Sequence, residues 1–562
     1  MIVISTIRDF RIPGAPLGYL AVQSDHYYAA WQIHEPDTLM VRAPSGEGLD
    51  WLTLRVGAAL QCAGQSDPAT TPLLHPHNLK TIVENWGGGG TSRESLTLIF
   101  ATDDPDALRC EVLFTADKIE CVYHQRLEQP ARVRRFTWGS TADGRGTLIG
   151  GDRVFNAGPQ SHGLYEHDWR RPQFIRPDWF TPPPYCYAFG LSDGTWMAAA
   201  LESPAGAMPY RVFSTGAAGD GICFGVDYDS EPRFETLFSS PPLVFRFGAA
   251  DALGAIRLHA EGLRVDGRSS VVKREPQAWW RGVMVCGWHR QMELQDLEKR
   301  KDDCCTQAVY EALVAELEAK SIDFSLLTID MFWGNDHGLW QVDPTKWPDL
   351  RGFIDRQHAR GRRVLLWVCT NTHGLPDDEL LLVGDRRMLD PLNPAWLRRL
   401  RSAFETMFGD GEGQLNADGI KFDFTDLTPV AGEQRGTREI HGLDYLHALF
   451  SAVYQTAKAV RPDVLMDFQV AHPAFASIND MTRLNDYFLP AGQAVRVMET
   501  RAEVAHAAGA GILVDVDGPA SEAYFEQSGR FGNISLYIDL KTLDDPAMVE
   551  AIQRGIKAFN LK

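Results

Sequence analysis

The chain has 562 residues, 44% of them apolar and 23% charged, and 55 basic against 74 acidic side chains give it a formal charge of −19. That composition excludes disordered, collagen-like and membrane-embedded classes and fits a globular protein of two or three domains. An acidic surface repels phosphate backbones, so nucleic acid is not an expected partner and small neutral ligands suit it better.

The first stretch, Met1 to Gly14, has Arg8 and Asp9 inside its apolar segment and lacks the apolar core of a secretory signal. No run approaches the roughly 18 consecutive apolar residues that would span a bilayer, so no membrane partner is expected. The nine cysteines are odd in number, lack CxxC spacing and include the vicinal pair Cys304-Cys305. They predict free buried thiols in a reducing cytoplasm, with no disulfide framework and no zinc finger.

Residues 1–270 alternate with a period of two, as in Leu52, Leu54 and Val56 against Thr53 and Arg55, or Leu243, Phe245 and Phe247 against Val244 and Arg246. Frequent Gly, Pro, Asp and Asn clusters cut this pattern into short strands, which predicts an all-β domain, a large sandwich. Two segments break the rhythm: the run Gly87 to Gly90, and the stretch His162 to Tyr187, crowded with Trp, Arg, His and Pro. The second is too long for a tight turn. It reads either as a solvated connection or as a loop that lends Trp169, Trp179 and Tyr185 to a neighbouring pocket, with Trp179 the chosen substrate contact.

After the polar link Arg268 to Gln277 the period changes, and residues 271–562 form a second module. Candidate strands are Val283–Gly287, Leu326–Asp330, Val364–Val368, Gly419–Phe424, Val464–Phe468, Leu484–Phe488, Ile512–Val516 and Ile534–Ile538. Between them run amphipathic helices, one striped by Val309, Leu313, Val314 and Leu317, another by Leu446, Leu449, Phe450 and Val453. Asp545 and Pro546 supply a cap and first residue for the last helix. Eight strands alternating with helices over about 285 residues predict a (β/α)8 barrel.

Reactive groups of such a barrel lie at the C-terminal ends of its strands. That filter selects Asp330, Lys421, Asp423, Asp486, Asp515 and Asp517. In Ile420-Lys-Phe-Asp-Phe424 the alternation turns Lys421 and Asp423 to the face opposite Ile420, Phe422 and Phe424, into the barrel mouth. They could form a structural pair that plugs the barrel. Alternatively, two carboxylates across a pocket can split roles, one ionised beside a cation and one kept protonated by burial. Asp423 beside Lys421 suits the first role; Asp486, flanked by Leu484, Tyr487 and Phe488, suits the second, with nearby Arg483 acting against it.

Several runs together resemble the barrel of retaining α-glycosidases of glycoside hydrolase families 36 and 31. They are Trp340-Gln-Val-Asp-Pro-Thr-Lys-Trp-Pro-Asp-Leu-Arg-Gly-Phe-Ile-Asp, His358-Ala-Arg-Gly361, Val364-Leu-Leu-Trp367, Asp390-Pro-Leu-Asn-Pro394 and Asp418-Gly-Ile-Lys-Phe-Asp423. The Lys-x-Asp of strand four is the most specific. The resemblance implies Asp423 as nucleophile and Asp486 as general acid/base. It also implies Asp330 as a hydroxyl-binding aspartate and Trp333 and Trp367 as aromatic walls, with Lys421 and Arg483 among the substrate-binding residues. A β-sandwich ahead of the barrel is similar to both families.

Departures bear on the sugar: Met331 follows Asp330 where family 36 usually has a second aspartate, and Gln469-Val-Ala-His472-Pro replaces a Cys/Gly-rich segment. The expected activity is therefore a retaining, exo-acting α-glycoside hydrolase, α-galactosidase-like first, with α-glucosidase, α-xylosidase or transglycosylase variants of the same mechanism as alternatives. An oligosaccharide or glycoside is the expected partner, no cofactor or metal is implied, and self-assembly into a homo-oligomer is left open. A metal-dependent hydrolase using His337, His373 and His472 near Asp330 is more remote, since no HxH or HExxH pair is present. A catalytically inactive carbohydrate-binding barrel is a third reading. Cys286, before Gly287-Trp288, reads as a small buried core residue in preference to a nucleophile.

Overall fold

A computed structural model describes the chain apart from residues 1–2, 7–18, 33–34, 65–81, 87–92, 102–103, 105, 141–143, 157–185, 270–275, 299–303, 337, 426, 485–490, 510, 519 and 562. The first half is antiparallel β, arranged as six-, nine- and five-stranded sheets. Alternation is visible in the strand Leu108–Phe114, where Leu108, Cys110, Val112 and Phe114 are buried and the residues between them half-buried. The nine-stranded sheet packs against both others through rings. Trp51 stacks on Phe247 at 5.9 Å, Trp31 meets Phe100 edge-on at 6.3 Å and Phe224 meets Phe245 at 5.7 Å. Such ring pairs add specific geometry to a large apolar burial.

One element departs from the predicted all-β half: residues Ala252–Val265 form a helix. Asp251 caps it by accepting from the Gly254 amide at 2.6 Å, and its small residues Ala252, Ala255 and Ala260 let it sit close on the nine-stranded sheet. Its other flank meets the barrel helix Ala491–Gly509, burying Val504, Ala507 and Ala508. Beneath it Glu202 is fully buried and accepts from Arg246 twice at 2.9 Å, with His259 at 3.2 Å. Burial works to raise the Glu202 pKa, but its bonds from His259 and Arg246 bring it down to about 2, so the group stays ionised.

The second half is a closed barrel of eight parallel strands: β1 (Met284–Cys286), β2 (Leu326–Ile329), β3 (Arg363–Cys369), β4 (Gly419–Asp423), β5 (Leu465–Phe468), β6 (Met481–Arg483), β7 (Leu513–Val516) and β8 (Asn533–Tyr537). The helix stripes face inward as expected: Leu313, Val314 and Leu317 are buried in Gln307–Ala319, and Leu446, Leu449, Phe450 and Val453 in Gly442–Val460. Asp545 caps the last helix, accepting from the Ala547 amide at 3.0 Å. All nine cysteines are free, and no helix among the described residues is long and apolar enough to cross a membrane.

Seven barrel strands fall on their predicted runs, but the sixth does not. The expected segment is Leu484–Phe488, of which 485–488 lie outside the described residues, whereas the sixth strand of the closed barrel is Met481–Arg483. This strand is short and polar because its side chains bond to neighbouring elements: Asn479 Nδ2 donates to Thr482 Oγ1 at 2.7 Å, and Thr482 Oγ1 to the Val470 carbonyl at 2.9 Å. An apolar-run criterion passes over such a strand.

The two halves grip each other where the helix Gly442–Val460 begins. Asp444 accepts from the Gly206 amide at 2.8 Å and the Met208 amide at 2.9 Å, while the Leu443 amide donates to the Tyr210 carbonyl. Burial pushes the Asp444 carboxyl up to about 6 in spite of these bonds. Replacing Asp444 by Ala strands the partly buried Met208 amide, the Gly206 amide being exposed to water, and should lower stability by about 1–3 kcal/mol in urea unfolding. An unchanged midpoint and slope would show that the contact contributes nothing.

Candidate active site

Six polar residues of the barrel mouth sit at or just past a strand's C-terminal end. Cys286 closes β1, Asp330 follows β2, Asp423 closes β4, Arg483 closes β6, Asp517 follows β7 and Tyr537 closes β8. Lys421, two residues earlier on β4, shares Asp423's face, as the alternation required, and pairs in register with Trp367 of β3.

Lys421 is buried, and its ammonium donates to Asp330 Oδ2 at 2.7 Å. The Cys286 thiol donates to the same oxygen at 3.0 Å, and the Tyr537 ring lies 5.0 Å from the ammonium. Burial works against the charged lysine, but the Asp330 carboxylate beside it outweighs burial and holds the ammonium above its ordinary pKa. Burial, followed by Asp330, raises the Cys286 thiol well above its usual value, so it is no thiolate nucleophile. Asp330 is oriented from behind. Its amide donates to the Tyr310 hydroxyl at 2.8 Å, and that hydroxyl donates to Gln291 at 2.8 Å.

Asp423 has three donors. Arg483 Nη2 reaches Oδ1 at 2.8 Å, the Phe424 amide reaches the same oxygen at 2.9 Å, and the Trp367 indole reaches Oδ2 at 3.0 Å. Its side chain is 15% exposed, against 1% for Arg483. Burial tends to neutralise the carboxyl, but Arg483 first and Lys421 second hold its pKa below the ordinary carboxylate value. The expected ionised state is therefore present, with Arg483 as the main cause and Lys421 committed to Asp330. The other guanidinium nitrogen of Arg483 meets Asp517 at 3.2 Å.

Aromatic residues frame this group under backbone strain. Phe424 and Phe332, each just past a strand end, have φ of 52° and 80°, in the left-handed region that large side chains avoid. Trp367 packs edge-on against Phe424 at 5.6 Å, and the buried Trp333 indole donates to the Trp367 carbonyl at 2.6 Å. Asp330, Lys421, Asp423, Arg483, Trp333 and Trp367 thus converge. Asp486 and Trp179 lie outside the described residues, as does the rest of the stretch 162–185.

Sequence reasoning missed Asp467 on β5, flanked by Met466 and Phe468; the signal was a lone carboxylate at an inward position of an apolar strand. His472 was considered as a metal ligand, but it is buried, accepts from the Ala474 amide at 3.0 Å and is pushed down to about 3 by burial and by His259 and His447. Among the described residues no group of three or more His, Cys, Asp or Glu side chains could hold a metal ion.

A (β/α)8 barrel with its polar cluster at the strand C-termini has the layout of a barrel enzyme, and solved structures narrow the likeness to glycosidases. The α-galactosidase from Lactobacillus brevis matches with a TM-score of 0.53 and 12% identity, over 97% of this chain and 83% of that one. The GH36 α-galactosidase from Geobacillus stearothermophilus, in complex with raffinose, matches at 0.55 and 10%, over 96% and 86%. A GH31 sulfoquinovosidase from E. rectale, in complex with an aza-sugar inhibitor, matches at 0.57 and 11%, over 96% and 83%. The fold therefore resembles that of GH36 and GH31 α-glycoside hydrolases across nearly the whole chain. No family model and no curated protein matches the sequence.

Arg483 provides a test of the electrostatics that needs no substrate. Removing its charge in Arg483→Gln should raise the Asp423 pKa by about 1–3 units, read as the carboxyl 13C shift during pH titration. Since Asp423 is held below its ordinary value in the folded chain, its contribution to stability is present above the unfolded-state pKa and lost as pH falls through the folded one. The variant should shift that acid loss of stability to higher pH. An unmoved Asp423 titration would remove Arg483 as the cause.

Proposed function

We propose that the chain is a retaining α-glycoside hydrolase. The observation that supports this most directly is the Asp423 carboxylate: ionised, partly exposed at the end of β4, with two donors on Oδ1 and one on Oδ2. Oδ2 keeps a lone pair for attack while Oδ1 is fixed, which is the arrangement a carboxylate nucleophile needs.

In this reading Asp423 attacks the anomeric carbon as Asp486 protonates the leaving oxygen. Asp486 then takes a proton from water, which displaces Asp423 and restores the starting configuration. Asp330 and Lys421 bind glycone hydroxyls, Trp333 and Trp367 wall the pocket, and Arg483 orients Asp423 from beneath. Trp179 of the first half closes the pocket from above. An α-galactoside is the first glycone to try, with α-glucosides and α-xylosides next, because the fold likeness extends to both families.

A panel of aryl α-glycosides identifies the glycone. Asp423→Ala should lower kcat/KM by at least about 1,000-fold, and added azide should restore turnover as a glycosyl azide of inverted configuration. Proton NMR of the wild-type reaction should show the α-anomer as first product; a β-anomer formed first would rule out the retaining mechanism. Trp179→Ala should lower kcat/KM by about tenfold or more without altering thermal stability, and unchanged kinetics would remove that residue from the pocket.

A further inference from the structure

Around and below Asp423 the described buried carboxylates outnumber the described cations, Lys421 and Arg483. Asp467 of β5 and Asp515 of β7 are both buried, on either side of Arg483 of β6, and Arg483 and Asp515 are register partners. Neither carboxyl oxygen of Asp467 accepts from a donor among the described residues, and Oδ1 of Asp515 is equally unserved. The group that Asp467 does meet is the Asp515 carboxyl, whose remaining bond comes from Ser535 of β8. Among the described residues the charged and titratable groups around the pair are Lys421 and Asp423 on β4, Arg483 on β6, Asp517 after β7 and Tyr537 on β8.

Two carboxylates in contact without a donor between them are stable only if a proton lies there. We propose that Asp467 and Asp515 share one proton and act together as a positioning pair for Asp423, through Arg483. With the proton in place the pair carries one negative charge, and Arg483 keeps its two forks on Asp423 and Asp517. If the proton is lost to solvent, a second buried anion beside Arg483 competes for the guanidinium and loosens its hold on the carboxylate above. In agreement, burial and then Asp515 raise the Asp467 pKa well above its ordinary value.

The catalytic consequence rests on the function proposed above; the shared proton does not, so the two are tested separately. Infrared difference spectra, wild type minus Asp467→Asn, or minus Asp515→Asn should the first variant fail to fold, should contain a protonated-carboxyl stretch that persists at neutral pH, the contribution of Asp486 cancelling in the difference. Absence of that band would overturn the pair even in an active glycosidase.

Kinetics use the dinitrophenyl α-glycoside of the selected glycone, whose leaving group needs no protonation, so that the alkaline limb of kcat/KM reports on the nucleophile's surroundings. Asp467→Asn, which supplies a permanent amide donor to Asp515, should lower kcat about three- to tenfold, leave KM within about twofold and move that limb upward by at least about one pH unit. Asp467→Leu, which leaves Asp515 unpaired, should lose about 100-fold or more. Profiles of wild type and Asp467→Asn that superimpose, or equal losses in the Asn and Leu variants, would overturn the positioning role.

Discussion

The bond from Arg483 to Asp423 organises the barrel mouth. Lys421 and Arg483 stand among five carboxylates, Asp330, Asp423, Asp467, Asp515 and Asp517, nearly all of them buried. Burying that many charges is tolerable only if each is paired or neutralised. Lys421 is committed to Asp330, and among the described residues Arg483 meets both Asp423 and Asp517. The remaining carboxylates, Asp467 and Asp515, must settle their charge between themselves.

This economy links elements far apart in sequence. The nucleophile candidate ends β4, its cation ends β6, the indole that fixes its second oxygen comes from β3, and the carboxylates beneath come from β5 and β7. Strain falls at Phe424, directly after Asp423, and at Phe332, two residues after Asp330, where the chain must turn sharply to leave its strand while the carboxylate stays aimed into the mouth. The surrounding packing, with Trp367 against Phe424 and Thr370 Oγ1 bonded to the Phe424 carbonyl at 2.5 Å, holds the turn in place.

The β half acts as a rigid flank to the barrel. It is joined through Asp444 at the start of the helix Gly442–Val460, by hydrogen bonds from main-chain amides, and through the helix Ala252–Val265, whose small apolar residues pack on Val504, Ala507 and Ala508 near the end of the helix Ala491–Gly509. Small-molecule sites favour such junctions because one rigid part can complete a pocket begun by the other.

What the sequence by itself determined is what depends on local period. Alternation by two marked the β half, the helix stripes marked the barrel, and alternation within Ile420–Phe424 put Lys421 and Asp423 on one face, because pleat and helical pitch are fixed by the backbone. The sequence could not show which cation serves which carboxylate. Lys421 is two residues from Asp423 yet bonds Asp330, while Arg483, sixty residues away, holds Asp423. It also could not show β6, whose polar side chains look like a loop until their partners on neighbouring elements are in place, nor the role of Asp467, which is one aspartate among many until β7 brings Asp515 against it. Those pairings are decided when the barrel closes, because closure alone brings residues distant in sequence to one level and forces every buried charge there to find a partner.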